Sequence, residues 1–126
     1  VAWHVSQYIT MELVITMIEQ MKQHPGALIH SDQGFHFTNP AYIEKVNMLA
    51  MMQSMSRKAN CIDNAPVESF FGHFKDEVDY KECRTFEALR QLIDNYIRYY
   101  NHERAQWDKK KMTPVEYRDH LLQLTR

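Results

Sequence analysis

ALIHSDQG, residues 27–34, is the stretch of this chain that decides its fold and points to its chemistry. It begins with a short apolar run, which follows the turn residues HPG and ends at the carboxylate of Asp32. Such a run, bounded by turn signals on both sides, predicts a short buried strand over residues 27–30. Asp32 is therefore expected just beyond the carboxyl end of a strand.

A second carboxylate, Glu68, lies in DNAPVESFF, residues 63–71, where a helix is predicted to begin. It follows Asp32 by 36 positions, since 68 − 32 = 36. A carboxylate at a strand end and another on a helix packed beside it can share divalent metal ions, as in two-metal phosphoryl transfer. Taken alone, Asp32 is also an ordinary turn residue, and Glu68 also favours the helix dipole.

Periodicity and capping signals predict strands that alternate with helices, and thus an α/β layer fold. Further strands are expected over residues 1–6 and 51–55. Helices are expected over residues 11–23 after Thr10, over 40–49 after Asn39, and from Asp63 or Asn64 to residue 78. Another helix begins after Thr85, and a capping box at Thr113 to Glu116 opens the last helix, which runs to about residue 124.

Composition is typical of one soluble globular domain covering residues 1–126, with 44% hydrophobic and 25% charged residues. The net charge of −1 does not favour DNA binding, but Arg57-Lys58 and residues 109–111 are basic clusters that can meet phosphates. Cys61 and Cys83 form no CxxC pair and are expected to be free thiols of a reducing compartment, the cytoplasm. No apolar stretch approaches the roughly 20 residues of a membrane span.

Several polar residues around Glu68 are candidates for contact with DNA. Asn64, Glu68 and Lys75 fall at i, i+4 and i+11, within about 40° of one another on a helix face. Arg57 and Lys58 lie, with Asn60, in the loop before that helix, where they can contact the DNA backbone. The alternatives remain open: Asn64 is also a good helix cap, Lys75 a solvated lysine, and the loop a solvated loop.

Two other features allow more than one interpretation. His30, beside Asp32, can tune the site or can be a packed, hydrogen-bonded histidine. The aromatic stretch YIRYYNHER, residues 96–104, has the helical spacing of a core stripe, although aromatics beside an arginine such as Arg104 can also stack on bases. The histidines and cysteines show no zinc-finger spacing.

Four motifs follow one another in a single order: HSDQG at residues 30–34, SMSRKANCIDNAPVESFF at 54–71, YIRYYNHER at 96–104 and MTPVEY at 112–117. In this order they resemble the C-terminal part of the catalytic core of bacterial insertion-sequence transposases of the retroviral-integrase-like (DDE) group. The resemblance covers residues 1–122. It implies a ribonuclease H-like fold and metal-dependent cleavage and strand transfer of double-stranded DNA. It also implies that Asp32 and Glu68 are catalytic ligands of two Mg²⁺ (or Mn²⁺) ions.

The same resemblance implies an N-terminally truncated core. Residues 1–6 match the third strand of the family's fold, so its first two strands and its first catalytic Asp have no counterpart here. A missing strand would expose two sheet edges. We therefore expect a homo-oligomer or strand exchange, and no catalytic activity from these 126 residues alone.

Two alternative functions remain open from the sequence. The chain can be a non-catalytic DNA-binding or assembly fragment of such a transposase. It can also be a ribonuclease H-type nuclease for RNA–DNA hybrids, which shares the fold and the metals. The block at residues 54–71 favours the transposase over the nuclease.

Overall fold

The computed structural model describes residues 2–57 and 65–125. Its helices and strands, in chain order, are α1 (Met11–Glu19), β1 (Leu28–Ser31), α2 (Phe35–Thr38), α3 (Pro40–Met48), β2 (Met52–Met55), α4 (Ala65–Glu77), α5 (Phe86–His102) and α6 (Pro114–Leu124). Short 3-10 helices cover Tyr80–Glu82 and Trp107–Lys109. The chain divides into two compact units, Ala2–His73 and Phe74–Arg126. No helix in the described ranges is long and apolar enough to cross a membrane.

The first unit contains a two-stranded parallel sheet. Leu28 of β1 pairs with Met52 of β2, and the register continues to Ser31 and Met55. Both strands were predicted, and each begins one residue later than expected. The first is not the buried strand that was expected, because Leu28 and His30 are exposed and the buried residue, Ser31, is at its end. The connection between the two strands runs through α2 and α3, as a parallel pair requires a crossover. The α/β alternation inferred from the sequence is confirmed for this part of the chain.

The core of the first unit lies where α1, α3 and the start of β2 meet. Its buried residues are Val14, Ile18, Tyr42, Val46 and Met51. Ile18 and Tyr42 have no exposed surface, and burial raises the pKa of the Tyr42 hydroxyl. A 2.6 Å ion pair from Lys45 to Glu19 joins α3 to the end of α1.

Helix α3 begins as its sequence predicts. Pro40 occupies its first turn, where a missing N–H costs nothing, and the Asn39 side chain accepts a 2.9 Å hydrogen bond from the Ala41 amide. Thr10 does occupy the N-cap position of α1, but its side chain makes no capping hydrogen bond.

Helix α1 ends at Glu19, four residues before the predicted end at Gln23. The reason is a change of hydrogen-bond pattern in its last turn. The amides of Gln20, Met21 and Lys22 each bond the carbonyl three residues earlier, which tightens the chain into turns.

The strand predicted over residues 1–6 is absent from the described part of that segment, Ala2–Ser6. The backbone of Trp3 is bonded instead by one side chain: the Gln20 amide accepts from the Trp3 N–H at 3.4 Å and donates to the Trp3 carbonyl at 2.7 Å. A glutamine amide thus occupies backbone groups that a neighbouring strand would pair. Propensity alone does not make a strand without a backbone partner.

The second unit is built on α5 and α6. Helix α5 buries Tyr96, Ile97, Tyr100 and Asn101, and its N-cap Thr85 accepts from the Ala88 amide. The capping box predicted at the start of α6 is present, with Thr113 and Glu116 each bonding the other's backbone. The aromatic stripe is therefore core, as its spacing indicated.

Candidate active site

Asp32 directly follows the last residue of β1 and is exposed. Its carboxylate Oδ1 accepts a 2.7 Å hydrogen bond from the Gly34 amide, just before α2. Within the described ranges, its other oxygen, Oδ2, has no hydrogen-bond partner. The carboxylate is therefore oriented by one bond and still presents an oxygen to solvent.

Gly34 lies unusually close to that carboxylate. A Cβ added to Gly34 would stand 2.9 Å from Asp32 Oδ1, a distance that real Cβ atoms essentially never show. The backbone of Gly34, at φ −56° and ψ 149°, is open to any residue. Glycine at this position therefore leaves room for the Asp32 carboxylate in its observed place, and its conformational freedom is not what the position uses.

A hydrogen-bond chain connects the carboxyl ends of the two strands beside Asp32. The imidazole of His30 reaches the Ser54 hydroxyl through Nδ1 and the Ser56 hydroxyl through Nε2, both at 3.1 Å. Ser56 Oγ donates to the Ser31 carbonyl at 3.2 Å. Which ring nitrogen donates in these two bonds depends on the tautomer of the imidazole.

Ser56 is almost fully buried, and its amide also donates to the Ser31 carbonyl at 2.7 Å. The side-chain amide of Gln33, next to Asp32, donates to the Ser56 carbonyl at 3.1 Å. These bonds fix the exit of β2 relative to Asp32. His30 is exposed, and both of its ring nitrogens are engaged by serine hydroxyls, so the structure shows a hydrogen-bonded histidine but not a packed one. The serines were not singled out in the sequence, although their i, i+2 spacing puts both on one face of a strand.

Glu68 lies in the first turn of α4 and is exposed. Within the described ranges, its carboxylate forms no hydrogen bond and no ion pair. A carboxylate in the first turn interacts favourably with the helix dipole, so the charged form suits this position. Asp32 and Glu68 belong to the same compact unit, Ala2–His73.

The other predicted site residues are distributed as follows. Lys75 is exposed on α4, and Arg57 is exposed just after β2. Lys58 and Asn64 lie outside the described residues, as do Asn60, Asp63 and Cys61. Cys83 carries a free thiol. Among the described residues, no three or more His, Cys, Asp or Glu side chains are grouped so that they could hold a metal ion.

Arg104, considered from the sequence as a DNA contact, is bound within the second unit. Its Nε donates to both carboxylate oxygens of Glu77, at 2.9 and 3.0 Å, and its guanidinium lies 5.7 Å from the centre of the Tyr100 ring. The Tyr96 hydroxyl also donates to Glu77 at 2.8 Å. Burial, and then the bond to Glu77, raise the pKa of Tyr96 well above its ordinary value.

Comparison with known proteins shows what this chain is similar to. A family model described as "Integrase core domain" matches residues 68–122, beginning at Glu68 itself. The putative transposase InsK for insertion sequence element IS150 of Escherichia coli is 36% identical over 124 residues, 94% of this chain. An uncharacterised transposase-like protein of Haemophilus influenzae is 46% identical over 96 residues, 75% of this chain.

The chain is similar to insertion-sequence transposases over nearly its whole length. It spans 44% of the length of each of these two relatives.

Similarity to solved structures shows the fold of this chain. The catalytic core domain of BIV integrase matches 98% of the chain and is itself covered to 80%, with a TM-score of 0.69 and 23% identity. A chain of a simian T-cell lymphotropic virus intasome, in complex with the PP2A regulatory subunit B56 gamma, matches 80% of the chain and is covered to 37%. Its TM-score is 0.57 and its identity 17%. The fold is thus that of the integrase catalytic core, the ribonuclease H-like fold inferred from the four motifs.

Proposed function

We propose that this chain supplies two of the metal-binding carboxylates, Asp32 and Glu68, of a transposase core that cuts DNA strands and joins them to target DNA. One observation carries the proposal: in an integrase-core chain, both carboxylates are exposed, lie in one compact unit and have no cationic partner within the described residues. Carboxylates left in this state are available to a ligand.

The donor chemistry fits a divalent ion. Magnesium takes one or two carboxylates and completes its shell with water and substrate phosphate oxygens. Family members generally use divalent metals, and we propose two Mg²⁺ or Mn²⁺ ions in the complete enzyme. When bound, such ions align the attacking oxygen and stabilise the leaving oxygen of a phosphodiester. The proposed role of Asp32 and Glu68 is to fix the position of the positively charged ions.

We place the third carboxylate outside these 126 residues, in keeping with the share of its relatives that the chain spans. The chain alone is then inactive in strand cleavage and transfer. Metal-dependent joining of DNA strands by the purified 126-residue chain would contradict this. We further propose that the complete protein acts as a homo-oligomer in the bacterial cytoplasm.

Double-stranded DNA is the proposed partner. Arg57 and Lys75 are exposed cationic residues near the two ends of the segment that carries Glu68. With Lys58 and Asn64, they are proposed to contact the phosphate backbone or bases beside the cut. A plot of log K against log salt has a negative slope. Substituting Arg57 with Ala should reduce the magnitude of that slope by about 0.9, the value for one lost phosphate contact. An unchanged slope would remove Arg57 from the interface.

A second candidate function is a non-catalytic DNA-binding or assembly fragment of a transposase. It is favoured by the lack, among the described residues, of a metal-binding group of three or more side chains. The two candidates differ in whether the isolated chain binds metal through Asp32 and Glu68.

Calorimetric titration with Mn²⁺, which prefers the same oxygen ligands as Mg²⁺, separates them. Asp32→Asn and Glu68→Gln should each weaken binding by about tenfold or more, equivalent to about 1.4 kcal/mol. Glu12→Gln is the matched control, because Glu12 is also an exposed carboxylate in the first turn of a helix. Binding that is absent, or equally weakened by Glu12→Gln, would favour the non-catalytic fragment.

A further inference from the structure

The connection between α5 and α6 is a tightly bonded turn, Gln106 to Met112, which we call the lysine turn. Its ends form an antiparallel bridge, in which the Gln106 amide donates to the Met112 carbonyl at 3.0 Å. The Gln106 carbonyl accepts from the amides of Lys109 and Lys111, at 3.2 and 2.9 Å. The three lysines of the turn, residues 109–111, are therefore carried on a defined backbone rather than on a loose loop.

Two consecutive residues of this turn have a left-handed backbone. Lys110 has φ 54° and Lys111 has φ 62°, and the only other non-glycine residue with positive φ in the described ranges is Ala50. This conformation costs roughly 1–2 kcal/mol for each residue with a side chain. Glycine would avoid that cost, but lysine occupies both positions. Backbone strain of this kind is concentrated at functional sites.

The three lysines differ in what their ammonium groups contact. Lys109 donates to the Gln106 side chain at 2.9 Å and pairs with Asp108 at 3.2 Å, so it stabilises the turn itself. Lys110 lies 3.2 Å from Nε2 of His120, and Lys111 lies over the ring of Trp107. In the part of the chain that the structure describes, neither Lys110 nor Lys111 forms an ion pair. Two adjacent positive charges are thus left uncompensated.

Trp107 is the most exposed of the large hydrophobic side chains described, at 83% of its full surface. Tryptophan is on average a well-buried residue. Here the Lys111 ammonium lies 4.6 Å from the ring centroid, a cation–π contact that restricts a long and flexible side chain. The indole therefore holds one of the two charges in place, at the cost of its own exposure to water.

We propose that the lysine turn binds the phosphate backbone of double-stranded DNA, with Lys110 and Lys111 contacting phosphates and Trp107 orienting Lys111. The choice of DNA rests on the function proposed above, but the lysine turn belongs to the second unit, whereas the proposed metal ligands Asp32 and Glu68 belong to the first. Duplex DNA presents one negative charge per about 1.7 Å of its axis, which suits two adjacent and oriented cations. Such contacts position DNA without reading its sequence.

The first test is the salt dependence of binding to a labelled DNA duplex. Each of Lys110→Gln and Lys111→Gln should reduce the magnitude of the negative slope of log K against log salt by about 0.9. Lys22→Gln and Lys81→Gln remove the same charge from other exposed lysines and should leave the slope unchanged. Trp107→Ala should weaken binding through Lys111, so it should have no further effect in the Lys111→Gln background. Equal effects of all four lysine substitutions, or no DNA binding by the unsubstituted chain, would overturn the proposal.

The second test uses the fluorescence of Trp107. The chain has two tryptophans, so Trp3→Phe leaves Trp107 as the only source of tryptophan fluorescence, which is excited at wavelengths that tyrosine does not absorb. DNA should protect it from quenching by iodide at the concentrations that saturate binding. Bound DNA without protection would overturn the proposal. Protection that grows with protein concentration in the absence of DNA would do so as well, because it would identify a second protein copy as the partner.

The two proposals can fail separately. Intact Mn²⁺ binding through Asp32, with DNA binding indifferent to Lys110 and Lys111, would refute only the lysine turn. The effect of the two lysine substitutions on the salt dependence of DNA binding therefore does not report on the metal site. Conversely, absence of Mn²⁺ binding with normal lysine effects would refute only the metal site.

Discussion

Replacing Gly34 with alanine is expected to impair metal binding while leaving the fold intact. The new Cβ would stand 2.9 Å from Asp32 Oδ1, whereas ordinary contact begins at 3.4 Å. The carboxylate oxygen must therefore retreat by about 0.5 Å, a displacement comparable to the positional tolerance of a functional site. The 2.7 Å bond from the Gly34 amide would lengthen or break as a result.

The cost of this substitution to stability should be small. The backbone angles of Gly34 suit alanine, and replacing glycine gains about 0.4–1 kcal/mol by restricting the unfolded chain. Loss of one hydrogen bond costs about 0.5–1.5 kcal/mol. The two effects nearly cancel, so the free energy of unfolding should change by less than about 1 kcal/mol. Affinity for Mn²⁺ should fall by about 10- to 100-fold, as when a group that orients a metal ligand is lost.

Gly26→Ala is the control for Gly34→Ala, because we expect it to change stability and not Mn²⁺ affinity. Gly26 has φ +82°, and no atom lies within 4 Å of an added Cβ, so the substitution introduces backbone strain and no clash. It should lower the free energy of unfolding by about 1–2 kcal/mol and leave Mn²⁺ affinity unchanged. Urea denaturation and calorimetry on both variants give the comparison. Wild-type Mn²⁺ affinity in a folded Gly34→Ala variant would refute the orienting role of Gly34.

Three further predictions concern stability. Gly72→Ala in α4, where an added Cβ meets nothing within 4 Å, should raise the free energy of unfolding in urea by about 0.5–1 kcal/mol; a decrease would show an obstruction. Tyr42→Phe removes a buried hydroxyl that has no partner within the described residues, and should stabilise by about 1 kcal/mol; a loss of stability would reveal a bonded hydroxyl. Tyr96 has a raised pKa in the folded protein, so its protonated hydroxyl contributes to the free energy of unfolding. That contribution is complete below the unfolded pKa of about 10 and is lost as the pH rises from there towards the folded pKa. Tyr96→Phe should therefore make the free energy of unfolding less dependent on pH above about 10, and an equally steep decline in the variant would contradict this.

Local signals in the sequence predicted most of the helices and strands. Asn39, Thr85 and Thr113 each cap the helix that was assigned to them, because capping depends on residues only two or three positions away. One prediction was wrong because a residue distant in the sequence determines the local structure: the Trp3 segment is bonded by Gln20 rather than by a strand. The end of α1 was also placed too late, because its last turn tightens into turns.

The four-residue helix α2 was also missed, since so short a helix leaves no periodic signal. The single domain expected over residues 1–126 remains a prediction.

The candidate site was only partly predictable for the same reason. The types and spacing of Asp32 and Glu68 were visible in the sequence, and the structure adds their exposure. The crowding of Gly34 against Asp32 depends on a distance, and the pairing of His30 with Ser54 depends on strand register. Neither can be obtained from composition or periodicity.

The lysine turn shows this limit most clearly. Lys109, Lys110 and Lys111 are identical letters in the sequence. Only the geometry of the turn separates the lysine that is paired with Asp108 from the two that are not.

Asp32 and Glu68 are proposed to form one metal centre, and a double-mutant cycle on Mn²⁺ affinity tests this most directly. Ligands of one centre act as a unit, so the losses of affinity from the two substitutions should not add. We expect Asp32→Asn combined with Glu68→Gln to weaken Mn²⁺ binding little more than the stronger single substitution. Losses that sum in the double variant would mean two independent weak sites and would contradict a shared metal centre.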